Sequence, residues 1–287
     1  MCGAAAETSR SNAADIGRAF LARLADPLRP SLDFGGISVV VAHPDDETIG
    51  CGAQLSRFAA ATVVVVTDGA PVDLADARAN GCVTPADYAR LRDTELREAL
   101  SLAGIGDGVV RFGVPDQSAA RHLGALAKRL STVLAERDAR IVVTHTYEGG
   151  HPDHDAVAFA VHAAVELVRR KGHAVAIVEM PLYYPTGYGW AVQQFTPAPG
   201  ITECVVTLTA PERELKARMI AAHASQRRTL AMFGVDTERF RCAPAHDFTK
   251  APRDNAVWYH GNSWGLTGDQ WLSLARTAAR DLNLEPI

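Results

Sequence analysis

Lysine is scarce in this sequence: Lys128, Lys171, Lys216 and Lys250 are the whole complement among 287 residues, and acidic residues outnumber basic ones by 33 to 29. A formal charge of -4 provides no field able to neutralise a phosphate backbone, so nucleic acid is not an expected partner. The reliance on arginine, together with abundant alanine, suits a GC-rich bacterial genome. Cysteine is equally sparse. Cys2, Cys51, Cys82, Cys204 and Cys242 are odd in number and show no C-x-x-C spacing, which argues against a disulfide framework or a thiolate zinc cluster and fits a reducing cytoplasm. No apolar run approaches the ~20 residues of a membrane span, and residues 1–20 lack the layout of a signal peptide, so a cytoplasmic protein is expected. A third lack is the dinucleotide fingerprint: Gly50-Cys51-Gly52 has neither the third glycine nor the downstream acid, and reads instead as close helix packing.

What is present is a chain with 47% hydrophobic residues, enough for a full core. Residues 1 to about 14 look poorly ordered and lead a short helix near 14–21. Apolar, β-branched runs at Ile37–Ala42, Thr62–Thr67, Val109–Phe112, Ile141–His145 and Ala174–Glu179 alternate with helical stretches near 48–60, 85–103, 119–135 and 155–171. This rhythm predicts an α/β fold: a Rossmann-like, doubly wound, mainly parallel sheet with a small C-terminal α+β lobe. Residues 1–30 form an N-terminal extension, 31–182 the catalytic core, and 183–287 a C-terminal part that completes the pocket within the same domain. That last part holds an aromatic, turn-rich loop at 183–190, a strand near 203–209, a helix from Pro211 to about Met232, an irregular tail over 240–264 and a closing helix near 269–282.

Two of the strand-like runs end in motifs rich in imidazole and carboxylate, His43-Pro44-Asp45-Asp46-Glu47 and His151-Pro152-Asp153-His154. In open α/β sheets ligands collect beyond the carboxyl ends of the strands, so the two motifs read as one metal site split over two loops. His43 and Asp46, three apart on a turn entering a helix, project to one side, and His151 and His154 share that spacing. His43, Asp46 and one of the later histidines would form a set of two nitrogens and one oxygen that leaves a zinc ion an open position, the catalytic arrangement. Asp45 is the natural general base. The histidine of the second pair that does not bind metal is placed to stabilise an oxyanion or protonate a leaving amine.

These motifs, in this order, resemble the LmbE/PIG-L family of metal-dependent N-deacetylases. Further similar stretches are Thr67-Asp68-Gly69, Arg92-x-x-Glu95 and Ala222-His223-x-Ser225-Gln226, and the resemblance spans roughly residues 37–230. It implies a Rossmann-like core that removes acetyl from an N-acetylated sugar, such as an N-acetylglucosamine conjugate. It implies zinc, with iron(II) as the alternative metal, on His43, Asp46 and His154; Asp45 as general base; and His151 as the oxyanion-stabilising or acid group. Arg92 and Asp116 fall in stretches that face the substrate in relatives. Glu148-Gly149-Gly150 departs from the mycothiol-pathway deacetylases of that family, in which the segment before the histidine brings a tyrosine close to it, and Tyr147 is the residue offered for that part.

His122, His162, His173, His246 and His260 take the ordinary reading of surface or core histidines, and His145 divides evenly between supporting the site and filling the core. The expected activity is hydrolysis of the acetamide of an N-acetylated amino sugar or sugar conjugate, a small-molecule partner. The rivals are an amidase of the same fold acting on a thiol conjugate or larger N-acyl group, a non-catalytic sugar-binding module, and a nucleotide-dependent transferase.

Overall fold

The β-branched runs form parallel strands because both of their faces are covered. The computed structural model describes residues 2–106, 108–252, 257, 259 and 264–284, with side chains from residue 9 onward. Helix α1 (Cys2–Leu24) leads to strand β1 (Ile37–Val41), helix α2 (Asp46–Leu55) and strand β2 (Thr62–Thr67). A short α3 (Ala75–Ala79) precedes α4 (Pro85–Leu102) and β3 (Val109–Val114), and α5 (Leu123–Glu136), β4 (Ile141–His145), α6 (Pro152–Arg169) and β5 (Ala176–Met180) complete the alternation. The hairpin β6 (Tyr183–Thr186) and β7 (Gly189–Val192) follows, then β8 (Cys204–Thr207), α7 (Ala210–Ala222), α8 (Arg227–Leu230), β9 (Thr237–Cys242) and α9 (Gly268–Asp281).

Seven strands form one sheet in the order β3-β2-β1-β4-β5-β9-β8, parallel from β3 to β5 and antiparallel through β9 and β8. Successive side chains of a strand point to opposite faces. Val40, Val64 and Val142 accordingly pack with Leu126 and Leu130 of α5, Phe159 of α6 and Trp271 of α9, whereas Val39, Val63 and Val143 pack with Phe20 of α1, Leu55 of α2, Leu96 of α4 and Met219 of α7. The chain leaves β1 toward β2 on one side and returns to β4 on the other, so a crevice opens beyond the carboxyl ends of β1 and β4, where both histidine motifs lie.

Several expectations are corrected. Helix α1 begins at Cys2 instead of near residue 14, and Ser9 Oγ donating to the His173 carbonyl, with Arg10 bonded to Glu166, ties its first half down. The tail expected to be irregular from 240 in fact follows an unforeseen strand, β9, whose Glu238 and Arg241 are buried because Lys216 and Glu179 compensate their charges. The helix expected from Pro211 to Met232 breaks at His223, where Glu95 of α4 accepts hydrogen bonds from Ser225 N–H (2.8 Å) and Oγ (2.6 Å) and holds a tight turn. The 183–190 loop is a two-stranded hairpin. Gly50 does pack closely, since a Cβ there would lie 2.2 Å from Met180 Sδ. His260 and much of the tail between 253 and 263 lie outside the described residues. Among the described residues no helix is long and apolar enough to cross a membrane.

Candidate active site

Beyond β1 the chain turns through His43-Pro44-Asp45 into α2, and the turn closes when His43 N–H donates to Asp46 Oδ2 at 2.7 Å. Asp45 has a φ of 153°, a region that favours glycine. Such a conformation costs on the order of 1–3 kcal/mol and persists only where neighbours impose it. Here Asp45 N–H donates to Glu47 Oε2 (3.2 Å) and its carboxylate meets Arg92 Nη2 at 3.0 Å. The same guanidinium donates to the Gly69 and Pro44 carbonyls at 2.9 and 2.8 Å. Only glycine fits at 69, where φ is 64° and a Cβ would fall 2.8 Å from Pro44 and 2.9 Å from Arg92. This gives the Thr67-Asp68-Gly69 stretch its physical role beside the first motif.

The second motif enters from β4. His151 caps α6, with Pro152 in the first turn, and its Nδ1 accepts from Asp153 N–H at 3.2 Å. Asp153 in turn accepts from Gln117 N–H (2.6 Å) and Ala119 N–H (3.0 Å), which fixes the loop after β3 and brings Asp116 alongside. His43 Nδ1 then lies 3.2 Å from both Asp46 Oδ2 and His154 Nε2, and Asp46 Oδ1 is 3.4 Å from His154 Nε2. On its other edge, His43 Nε2 lies 3.2 Å from Asp116 Oδ1 and 3.5 Å from Asp153 Oδ2.

Burial lowers the basicity of the His43 imidazole, yet Asp116 and Asp46 outweigh it and hold His43 well above its usual range. Burial pushes His154 down to about 4 despite Asp46, and burial with the neighbouring His43 pushes His151 down to about 3. Asp46 is buried too, but His154 and His43 hold its carboxyl well below the usual range; His43 does the same for Asp116. Asp45 moves the other way: burial raises it to about 6, against the opposing Arg92 charge.

The residues fit a divalent metal. Two imidazole nitrogens 3.2 Å apart, each facing the same buried carboxylate, are the two-nitrogen, one-oxygen donor set that zinc takes with a position left open. His151 and His145 stand close enough to join sets of ligand atoms around His154. His145 is otherwise engaged: its Nε2 accepts from Ala42 N–H at 2.9 Å and its ring stacks on His154 at 4.4 Å.

The structure thus brings together His43, Asp45, Asp46, Arg92, Asp116, His151 and His154. It does not bring Tyr147 to them. That ring stacks on Trp271 in the core, and its hydroxyl donates to the Lys250 carbonyl at 2.8 Å. Tyr183 of β6 stands at the site instead, its ring 5.3 Å from that of His154, and Trp264 lies 4.5 Å from His151. Arg92, expected to face substrate, is 4% exposed and engaged with the turn that holds Asp45. Sequence reasoning passed over Asp153, although its place inside the second motif was a signal. Tyr183 was marked only as part of an aromatic loop, and nothing local singles out Trp264.

The family model of PIG-L, described as GlcNAc-PI de-N-acetylase, matches residues 38–165, a stretch that contains both motifs and every member of the cluster. Proteins similar to this chain include 1D-myo-inositol 2-acetamido-2-deoxy-alpha-D-glucopyranoside deacetylases. That of Kineococcus radiotolerans is 32% identical over 191 residues, 54% of this chain and 49% of the relative, and that of Rhodococcus erythropolis is 28% identical over 234 residues, 66% and 80% respectively. The chain spans about half the length of the Kineococcus relative and of a similar one from Thermobifida fusca. Among solved structures, teicoplanin deacetylase Orf2 shares the fold with a TM-score of 0.55 at 17% identity, covering 72% of this chain and 97% of that one. The N,N'-diacetylchitobiose deacetylase of Pyrococcus horikoshii does so with a TM-score of 0.52 at 18% identity, covering 79% and 91%.

Proposed function

We propose that this protein is a metal-dependent N-deacetylase of the PIG-L type that hydrolyses the acetamide of an N-acetylated amino sugar or sugar conjugate. The observation that carries the reading is the pairing of Asp45, strained at φ 153° and raised to about 6, with the converging atoms of His43, Asp46 and His154. A base is most effective when its basicity lies near the working pH. In this reading His43, Asp46 and His154 hold zinc, or iron(II), which when bound supplies a Lewis acid and lowers the pKa of its water toward ~7. The named activities of the relatives support the same class of substrate.

The residues divide the work as follows. Asp45 takes a proton from the attacking water, and Arg92 keeps its carboxylate aimed. His151 is neutral near pH 7, and because its Nδ1 accepts from Asp153 N–H, its proton sits on Nε2. It therefore donates a hydrogen bond to the developing oxyanion and does not serve as the acid. The proton gained by Asp45 passes to the departing nitrogen as the C–N bond breaks, giving acetate and a free amine. Asp116 and Asp153 hold His43 from its far edge. The four cysteines described are free thiols, which supports a reducing cytoplasm as the setting.

The test is an amine-release assay on metal-loaded protein across N-acetylated amino sugars, their inositol and oligosaccharide conjugates, and N-acyl groups longer than acetyl. Release from acetamido sugars upholds the reading. Hydrolysis confined to longer acyl groups or thiol conjugates would replace it with the amidase alternative.

A further inference from the structure

A second set of metal-ligand side chains lies away from the first. His162 of α6, Glu179 of β5 and His246, in the segment after β9, place one ligand atom each within 4.8 Å of one another. His162 follows His154 by eight residues, about 12 Å along the helix, so the sets are distinct.

Glu179 is fully buried and its two oxygens are divided. Oε2 accepts from Arg241 Nε at 2.8 Å, while Oε1 faces His246 Nε2 in close contact. The His162 and His246 rings lie 5.2 Å apart at 73°. His162 Nε2 is buried with no hydrogen-bond partner. A buried polar atom without a partner is destabilising, and native interiors seldom carry one without a reason.

An ion pair explains Glu179, Arg241 and His246. It leaves His162 unexplained. A single divalent ion accounts for all four: it takes lone pairs from His162 Nε2, His246 Nε2 and Glu179 Oε1, while Arg241 keeps the other carboxylate oxygen, as groups behind a metal ligand usually do. Two imidazoles and one carboxylate suit zinc and its borderline neighbours better than calcium or magnesium, which prefer oxygen. His162 also lines a cavity of about 310 Å³ with Arg10, Arg169 and Ala243.

We infer that His162, Glu179 and His246 form a second transition-metal site, structural in role, that pins the segment after β9 to the sheet and to α6. The inference does not depend on the proposed activity. The experiment strips the protein with chelator, reloads it with zinc or cobalt(II), removes excess metal by desalting and counts bound equivalents. The wild type is expected to retain two, His162→Gln one, His154→Ala one, and the double variant none. The cobalt spectrum of His154→Ala should report ligation by nitrogen and oxygen. His162→Gln is the main variant because its Nε2 makes no hydrogen bond that the metal-free fold would lose, and its hydrolytic rate should match the wild type. Unchanged metal content in His162→Gln, or a single equivalent in wild type that only His154→Ala removes, would overturn the assignment.

Discussion

Asp45 is where residue-scale physics is most exposed. Its carboxyl is raised to about 6 by burial, and Arg92 pulls the other way. A base must be ionised to act, so kcat/KM should fall as pH drops through about 6. Replacing Arg92 with Met removes the opposing cation and should move that acid limb to higher pH, as pH–rate profiles of the two proteins would show. The same change orphans the Gly69 and Pro44 carbonyls, so a stability loss of roughly 1–3 kcal/mol should accompany it. Asp45→Asn preserves shape and contacts yet cannot accept the proton. It should keep its metal and lose about 10²–10⁴ in turnover, and a variant turning over within a few-fold of wild type would remove Asp45 from the reaction. Five of the expected site residues meet because their two motifs end strands that the sheet places side by side, and Arg92 of α4 and Asp116 of the loop after β3 join them through hydrogen bonds and ion pairs. Tyr147 was illegible for a related reason: it follows a strand, but the residue's own φ and packing decide which way a loop side chain turns, and here Trp271 and Phe248 from the far end of the chain claim it.

At the scale of elements, the loop before α6 and the strand β6 form one unit. Glu148 Oε1 accepts from the N–H groups of Leu182 and Tyr183, each at 3.2 Å, and Gly150 lies so close that a Cβ would fall 2.0 Å from the Tyr183 carbonyl. Gly150→Ala must therefore push β6 and the second motif apart. We expect destabilisation of about 1–3 kcal/mol together with reduced kcat/KM, measured by denaturant unfolding and initial rates. Gly124→Ala in α5, where a Cβ meets nothing within 4 Å, is the control and should gain roughly 0.5–1 kcal/mol. The parallel strands were legible since burial on both faces writes continuous β-branched runs. Strand β9 was not, because Thr237-Glu238-Arg239-Phe240-Arg241-Cys242 reads as a polar loop until Lys216 and Glu179, distant in sequence, neutralise its buried charges. The contact of α4 with the turn after α7, through Glu95 and Ser225, was visible only as two separate patterns.

For the whole molecule, the consequence of the site lies in how it joins the two halves of the sheet's crevice. His43 and Asp46 come from the turn after β1, and His154 from α6, so an ion held by all three binds the folded chain and has no counterpart in the unfolded one. A ligand of that kind stabilises by RT ln(1 + [L]/Kd), about 2.7 kcal/mol at a hundred times Kd. For a domain of this size each kcal/mol moves Tm by roughly 2–4 °C, so each zinc ion bound at that level should raise Tm of the chelator-stripped protein by about 5–10 °C. His154→Ala should lose the share of that rise due to the first site and His162→Gln the share due to the second. Because the two sets lie about 12 Å apart along α6 and share no ligand, the two losses should add. Thermal unfolding of the four proteins, with and without metal, measures this directly. A zinc-dependent rise that survives unreduced in His154→Ala would show that His154 does not hold the ion that joins the halves.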